Sequence, residues 1–353
     1  MTVKKRKDAK TWGYDFYDVY KRRHQKQGFK TKSEAQRAEA KAMETADKGI
    51  KLTNTEAKFT DLAASFIELY AKVYLKKSTI NNYENQLKYY ILPYFNEIKV
   101  RDITPEIISK FISQHKQSEL KNRSINHAIL TIKRVLNYGV DNGIIFYNPA
   151  SKIKKLSEEI TEQRFLNEEQ IKTILATAKE NFPNFYPLIY TATYTGCRQG
   201  ELLALTWDCI DLANKKLLIK ENLYRGTIGT PKTKTSARTI DISQGLVDVL
   251  TEWRDKCPKS HYRLVFPNKL GNYQDSKNMI NRYFNYCLNF AEIPKIRWHD
   301  LRHTYVSLLI AKEVDYKYIQ QQIGHASIKI TLDTYGHLMP SIYQKCKSII
   351  NEL

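Results

Sequence analysis

The sequence is short of cysteine, of acidic charge and of long apolar runs, and each shortage excludes something. Its five cysteines, Cys197, Cys209, Cys257, Cys287 and Cys346, are odd in number, well separated and free of any C-x-x-C pair. That argues against a disulfide scaffold or a zinc ribbon and for a reduced, intracellular setting. No apolar run approaches the roughly 20 residues of a membrane span. The start, Met1 to Lys10, is basic and has no apolar core, so it does not read as a signal peptide. No internal repeat or low-complexity tract is present.

The shortage of acid is the most informative. Lys and Arg number 57 against 37 Asp and Glu, a net charge of +20. Such an excess is larger than solubility requires and points to a polyanionic partner, nucleic acid ahead of an anionic membrane. It is unevenly spread. Residues 1–55 hold fifteen basic and seven acidic side chains, residues 56–155 sixteen and nine, and residues 156–353 twenty-six and twenty-one. The non-specific electrostatic grip therefore lies mostly in the first half. A hydrophobic content of 42% over 353 residues predicts a folded chain of two or three domains.

Organisation follows from periodicity. Trp12, Tyr14, Phe16 and Tyr20 alternate as on one face of a strand, and Lys21 to Phe29 reads as a turn between short strands. Ser33 and Gln36 form a capping-box pattern for a helix to about Ala46. A small sheet on one helix, carrying Lys21, Arg22, Arg23 and Lys30, suits a DNA-reading module as well as it suits a solvated surface. Residues 49–55 read as a linker.

Four amphipathic helices are expected over 60–148. Thr60, Ser78, Thr104 (followed by Pro105) and Ser124 are the candidate caps. The inward faces are Leu62, Phe66, Leu69 and Tyr70; Ile80, Tyr83, Leu87, Tyr90 and Ile91, stopped by Pro93; Ile107, Ile108, Phe111 and Ile112; and Ile125, Ile129, Ile132, Val135 and Leu136. Lys76, Lys77, Lys121, Arg123, Lys133 and Arg134 lie off those faces, available to phosphates. Asn148-Pro149 and Lys152 to Lys155 mark a second linker. Beyond it come a helix capped by Asn167, an apolar helix over 185–195, strands at 217–223 and 239–242, and then mostly helices.

The candidate chemistry is dispersed. Arg198 follows Gly196 where a turn hands over to a helix, and Glu201 at i+3 can pair with it and fix its fork. A fixed guanidinium binds a phosphate with two hydrogen bonds. Lys232 lies between strands and can donate a proton, with Lys234 its competitor. His299 and Arg302 share a helix face. His303, at i+4 from His299, gives a zincin-like His-Asp-x-x-His, but Arg302 would then sit beside the metal and no clear third ligand follows. His325 follows Gly324 at a helix end, and Ser327 opens a helix carrying Tyr335.

Arg198 within Thr-Gly-Cys-Arg-Gln-Gly-Glu-Leu, Lys232 in a Pro-Lys-Thr-Lys hairpin, His299-x-x-Arg302, Gly324-His325 and Tyr335 occur in that order. The set resembles the catalytic residues of the tyrosine recombinases, the phage and mobile-element integrases, and the resemblance extends through all three segments. It implies a mainly α fold with small β-sheets (α+β). Residues 1–55 would form an arm-type DNA-binding domain of sheet plus helix, 56–155 a helical, SAM-like core-binding domain, and 160–353 a mixed α/β catalytic domain.

The resemblance implies a site-specific recombinase. Tyr335 attacks a DNA phosphate to give a 3′-phosphotyrosyl link, and Arg198 and Arg302 hold the non-bridging oxygens. Lys232 protonates the leaving 5′-oxygen, His325 bonds a non-bridging oxygen, His299 helps proton movement at Tyr335, and Glu201 orients Arg198. Neither metal nor ATP is needed. The implied partners are duplex attachment-site DNA, three further copies of the chain at the synapse, an excisionase and a host DNA-bending protein, with no membrane, in the bacterial cytoplasm. A type IB topoisomerase and a non-catalytic DNA-binding regulator are the alternatives.

Overall fold

A computed structural model describes residues 3–5, 11–17, 23–48, 56–159, 164–229 and 237–336. It divides into two compact units, residues 1–160 and 161–353. Within the first, the alternating N-terminal residues form an antiparallel sheet of β1 (Val3–Lys5), β2 (Trp12–Tyr17) and β3 (Arg23–Phe29), in that order. Tyr14 and Phe16 are buried on the face that α1 (Lys32–Lys48) covers with Ala35.

The expected turn over Lys21 to Phe29 is instead a strand from Arg23 onward. Cross-strand pairing explains it: Phe16 stacks on its partner His24, and Arg23 donates two hydrogen bonds to Asp15 at 2.9 and 2.6 Å. α1 is opened by Thr31 and Glu34, which accept from each other's backbone N–H, and not by Ser33 and Gln36.

The four expected helical rods are present, two of them with an altered phase. α2 (Phe59–Ser65) passes through a π-helical segment (Phe66–Ala71) into α3 (Lys72–Tyr74). α4 (Lys77–Gln86) passes through another (Leu87–Ile91) into α5 (Leu92–Phe95). A π turn rotates the following side chains out of the 3.6 repeat. Leu69 is consequently 67% exposed, while Ile67 is buried. Pro93 does not stop the second rod, which continues through it from the π segment into α5.

α6 (Pro105–Gln117) starts as its Thr-Pro pair predicts, the Thr104 hydroxyl accepting from Ile107 N. α7 (Asn122–Asp141) buries all five expected positions. Thr60, Ser78 and Ser124 fall inside helices capped by Lys58, Lys76 and Lys121. Phe59, Phe66, Phe95, Phe111, Ile132 and Leu136 form the shared core.

In the second unit α8 (Glu168–Asn181), opened by a reciprocal Asn167–Gln170 cap, packs on α9 (Tyr186–Thr195). After α10 (Gln199–Leu203), the strands β4 (Ile210–Asp211) and β5 (Lys216–Ile219) are followed by a hairpin of β6 (Asn222–Tyr224) and β7 (Thr227–Gly229). β8 (Arg238–Asp241) returns to pair with β5, giving the order β4-β5-β8. Next come α11 (Gln244–Lys256), α12 (Ser276–Met279) running through a π segment (Ile280–Phe284) into α13 (Asn285–Phe290), and α14 (Asp300–Ala311). α15 (Tyr316–Ile323) and α16 (Ile328–Tyr335) complete the order.

A core through Ile189, Leu202, Leu217, Ile240, Val265, Phe284 and Leu301 ties these elements together. A smaller cluster, Tyr305, Val306, Ile310, Ile319, Ile323 and Tyr335, joins the last three helices. Among the described residues no helix is long and apolar enough to cross a membrane, and Cys197, Cys209, Cys257 and Cys287 are free thiols.

Candidate active site

Four residue groups, far apart in the chain, meet around the C-terminal end of α15. That helix ends on Gly324 at φ +69°, a left-handed cap that leaves its last carbonyls without helical partners. Three guanidiniums take them. Arg238 Nε donates to Gln322 O at 2.7 Å, Arg302 Nη2 to Ile323 O at 2.5 Å and Arg198 Nη2 to Gly324 O at 3.5 Å. A Cβ on Gly324 would lie 2.8 Å from Arg238 Cδ, so backbone and guanidinium need that glycine.

Arg198 stands at the N-cap of α10, after Gly196 has turned the chain at φ +60°. Its Nη1 donates to Glu201 Oε1 at 2.8 Å and its backbone N to Glu201 Oε2 at 2.9 Å, the expected i+3 pair. Glu201, 3% exposed, also receives Arg238 through Nη1 at 3.2 Å and Nη2 at 3.0 Å. Burial pushes its carboxyl up, but Arg238 and Arg198 outweigh that and hold it below the usual range. Arg302, equally buried, donates its other arm to Gly196 O at 2.8 Å. Burial, then Arg198 and Arg238, push its pKa down to about 9, which still leaves it cationic at neutral pH. One buried carboxylate thus faces three guanidiniums, an excess of positive charge that an anion would neutralise.

Tyr335 closes the site from α16. Its side chain is buried, and its Oη lies 2.6 Å from His303 Nδ1. Burial pushes the phenol up to about 12, against the pull of Arg302. His325, just after the cap, has Nδ1 3.0 Å from Thr331 Oγ1, and burial with Arg302 and Arg198 pushes it down to about 4. His299 lies at the start of α14 with its ring edge-on to His303, centroids 5.2 Å apart; burial and Arg302 lower its pKa.

Arg198, Glu201, His299, Arg302, His325 and Tyr335 lie together around the end of α15 and the helices beside it. Lys232 and Lys234 lie outside the described residues, as do Lys21 and Arg22. Of the other basic candidates, Lys30, Lys76, Lys77, Lys121 and Arg123 are exposed. Arg23 is exposed but engaged with Asp15. Arg134 hydrogen-bonds the Tyr70 hydroxyl and sits over its ring. Lys133 is not open to solvent as expected: it is half-buried, donating to Ser151 O and Ile153 O, and fastens the segment after Asn148 to α7.

Three participants were missed. Arg238 had a legible signal, because it shares inward parity with Ile240 on β8. Asp300, buried and paired with Arg297, anchors the start of α14. The i+4 spacing of His303 from His299 points only to a metal, whereas its contact is with Tyr335, 32 residues on in the sequence.

Known proteins share this architecture. Residues 164–341 match the phage integrase family, and residues 58–116 match the phage integrase N-terminal SAM-like domain. The ICEBs1 integrase of Bacillus subtilis is 28% identical over 293 residues, covering 77% of this chain and 78% of its own. A prophage ps2 probable integrase of Lactococcus lactis is 27% identical over 344 residues, covering 89% and 88%. Among solved structures, the Tn1549 transposon integrase in complex with transposon right end DNA superposes with a TM-score of 0.73 at 17% identity, covering 84% of this chain and 100% of that one. A lambda integrase tetramer bound to a Holliday junction gives a TM-score of 0.63 at 17% identity, covering 92% and 96%. The second unit is a tyrosine recombinase catalytic domain. The chain belongs to the phage integrase family: it is a site-specific recombinase that integrates mobile elements.

Proposed function

We propose that this integrase cuts and rejoins attachment-site DNA through a covalent link to Tyr335. The phenol attacks the scissile phosphorus, the 5′-oxygen leaves, and the 3′-phosphotyrosyl bond keeps the energy for rejoining to a new 5′-hydroxyl. Arg198 and Arg302 hold the non-bridging oxygens and offset the charge that grows in the pentavalent state. His325 donates to one of those oxygens, and Glu201 keeps Arg198 aimed. Lys232 protonates the leaving oxygen. His299 assists proton movement at Tyr335 through its edge-on neighbour His303.

The observation that carries this reading is the three guanidiniums on consecutive carbonyls at 322–324, opposed by Glu201, with the Tyr335 phenol in the same cluster of helices. Several donors are required. Phosphodiester cleavage needs ~20 kcal/mol of barrier reduction, and one preorganised donor supplies about 3 kcal/mol.

Residues 1–55 serve as the arm-type DNA-binding domain, 56–155 as the core-binding domain and 160–353 as the catalytic domain. Four copies act at the synapse of two duplexes in the bacterial cytoplasm. An excisionase and a host DNA-bending protein set direction, and neither metal nor ATP takes part. Tyr335→Phe is expected to bind DNA and form no adduct on a nicked suicide duplex; an adduct trapped by that variant would overturn the assignment.

A further inference from the structure

We infer that His303 is the proton acceptor of the nucleophile, a catalytic residue that takes the Tyr335 proton as the phosphotyrosyl bond forms. The inference rests on Tyr335 being the nucleophile. Its basis is the 2.6 Å contact between Tyr335 Oη and His303 Nδ1, made between α16 and α14 with both side chains buried. A phenol is a far stronger acid than the N–H of a neutral imidazole, and an imidazole nitrogen is the better acceptor. The stable arrangement is therefore O–H donated to Nδ1, with the ring's hydrogen on Nε2. Among the described residues no other imidazole hydrogen-bonds that oxygen: His325 meets Thr331, and His299 meets the His303 ring edge-on.

The groups facing His303 explain when it acts. Burial is the largest influence on it. His299, Arg297 and Arg302 further disfavour its cation, and Asp300 favours it. In the DNA-free protein the imidazole is thus neutral, with its pKa down at about 4, and the phenol keeps its proton. A phosphodiester docked on Arg198 and Arg302 offsets the share of that opposition that Arg302 contributes, and its own negative charge favours the ring's cation. The base becomes competent when substrate arrives. The step balances: Oη–P forms and P–O5′ breaks, the phenol proton passes to Nδ1, and O5′ takes a proton from Lys232. In rejoining, the imidazolium returns its proton to the departing Oη.

The test is single-turnover cleavage of a nicked suicide duplex copied from the junctions of the element that carries the gene, at saturating DNA, between pH 4.5 and 9. His303→Gln should bind the duplex as the parent does, cleave about 100-fold or more slowly, and lose the acidic limb of the profile. A ring-fluorinated tyrosine at position 335, more acidic and less in need of a base, should recover about tenfold of that loss. Cleavage within about threefold of the parent would overturn the proposal, as would a retained acidic limb or no recovery by the fluorinated phenol.

Should His303→Gln fail to fold, the parent chain with fluorotyrosine at 335 decides. An acidic limb left in place belongs to the imidazole and supports the proposal. A limb that moves to lower pH with the phenol refutes it. An adduct on Tyr335→Phe would remove the nucleophile reading as well, whereas failure at His303 alone leaves that reading intact.

Discussion

Glu201 is the perturbation whose consequences follow most directly from the geometry. Its carboxylate accepts from Arg198 through backbone and side chain and from two nitrogens of Arg238, at 2.8 to 3.2 Å, with almost no exposure. Glu201→Gln keeps the volume and removes the charge, leaving three buried or half-buried guanidiniums with no carboxylate between them. Breaking a buried ion pair from one side costs about 3–5 kcal/mol. For a domain of this size that lowers the melting temperature by roughly 6–20 °C. Cleavage should fall about 10²-fold, the value of one aimed donor.

A double-mutant cycle with Arg238→Met isolates the cause. Once the carboxylate is gone, removing the guanidinium also removes an uncompensated charge. The double variant should therefore lose at least about 1 kcal/mol less than the two single losses together. Calorimetry on the DNA-free protein reads the stabilities and suicide-substrate trapping reads the cleavage. Strictly additive losses, or a Glu201→Gln melting temperature within about 2 °C of the parent's, would refute the account of Glu201 as the counter-charge of the site.

Gly324→Ala places a Cβ against Arg238 in a left-handed backbone and should cost about 2–5 kcal/mol; an unchanged unfolding midpoint in urea would contradict it. His303 and His325 have pKa values depressed from 6.5 to about 4 in the folded state, so the unfolded chain binds more protons between those values. Their contribution is complete above pH 6.5 and is lost as pH falls through about 4. Melting curves of the parent and the His303→Gln, His325→Gln double variant should accordingly converge on acidification. Divergence would reverse the sign of the argument. Deleting residues 1–55 should weaken DNA binding and flatten its salt dependence by about 0.9 log units for each phosphate that the segment neutralises, so an unchanged slope would exclude that segment from the DNA interface.

Much of the site was legible because its pieces are local. Arg198 and Glu201 are one helical step apart, His299 and Arg302 likewise, and Gly324 announces a helix end. Caps written in two or three residues were also legible at Thr104-Pro105 and Asn167. Readings failed where a distant partner decided the outcome. Arg23 joins a strand because β2 offers Asp15 and Phe16 across the ladder, and Leu69 faces solvent because a π turn rephases its helix. His303 sits four residues from His299, a spacing that suggests a metal, while the partner of its Nδ1 is the Tyr335 hydroxyl. Arg238 is turned inward by the return of β8 to β5, a pairing across some twenty residues that no local pattern announces.

The three carbonyls at the end of α15 bear on selectivity. Arg198 and Arg302 rest there on peptide oxygens that carry only partial charge. A docked phosphate would therefore share the guanidiniums with acceptors already in place, which limits the net affinity for a singly charged diester. The gain grows as the phosphorus acquires a fifth ligand and a second negative charge, which a peptide carbonyl cannot match. On the proposed mechanism such a site would discriminate between ground state and transition state while gripping neither product strongly. That suits an enzyme whose substrate and product are both intact DNA.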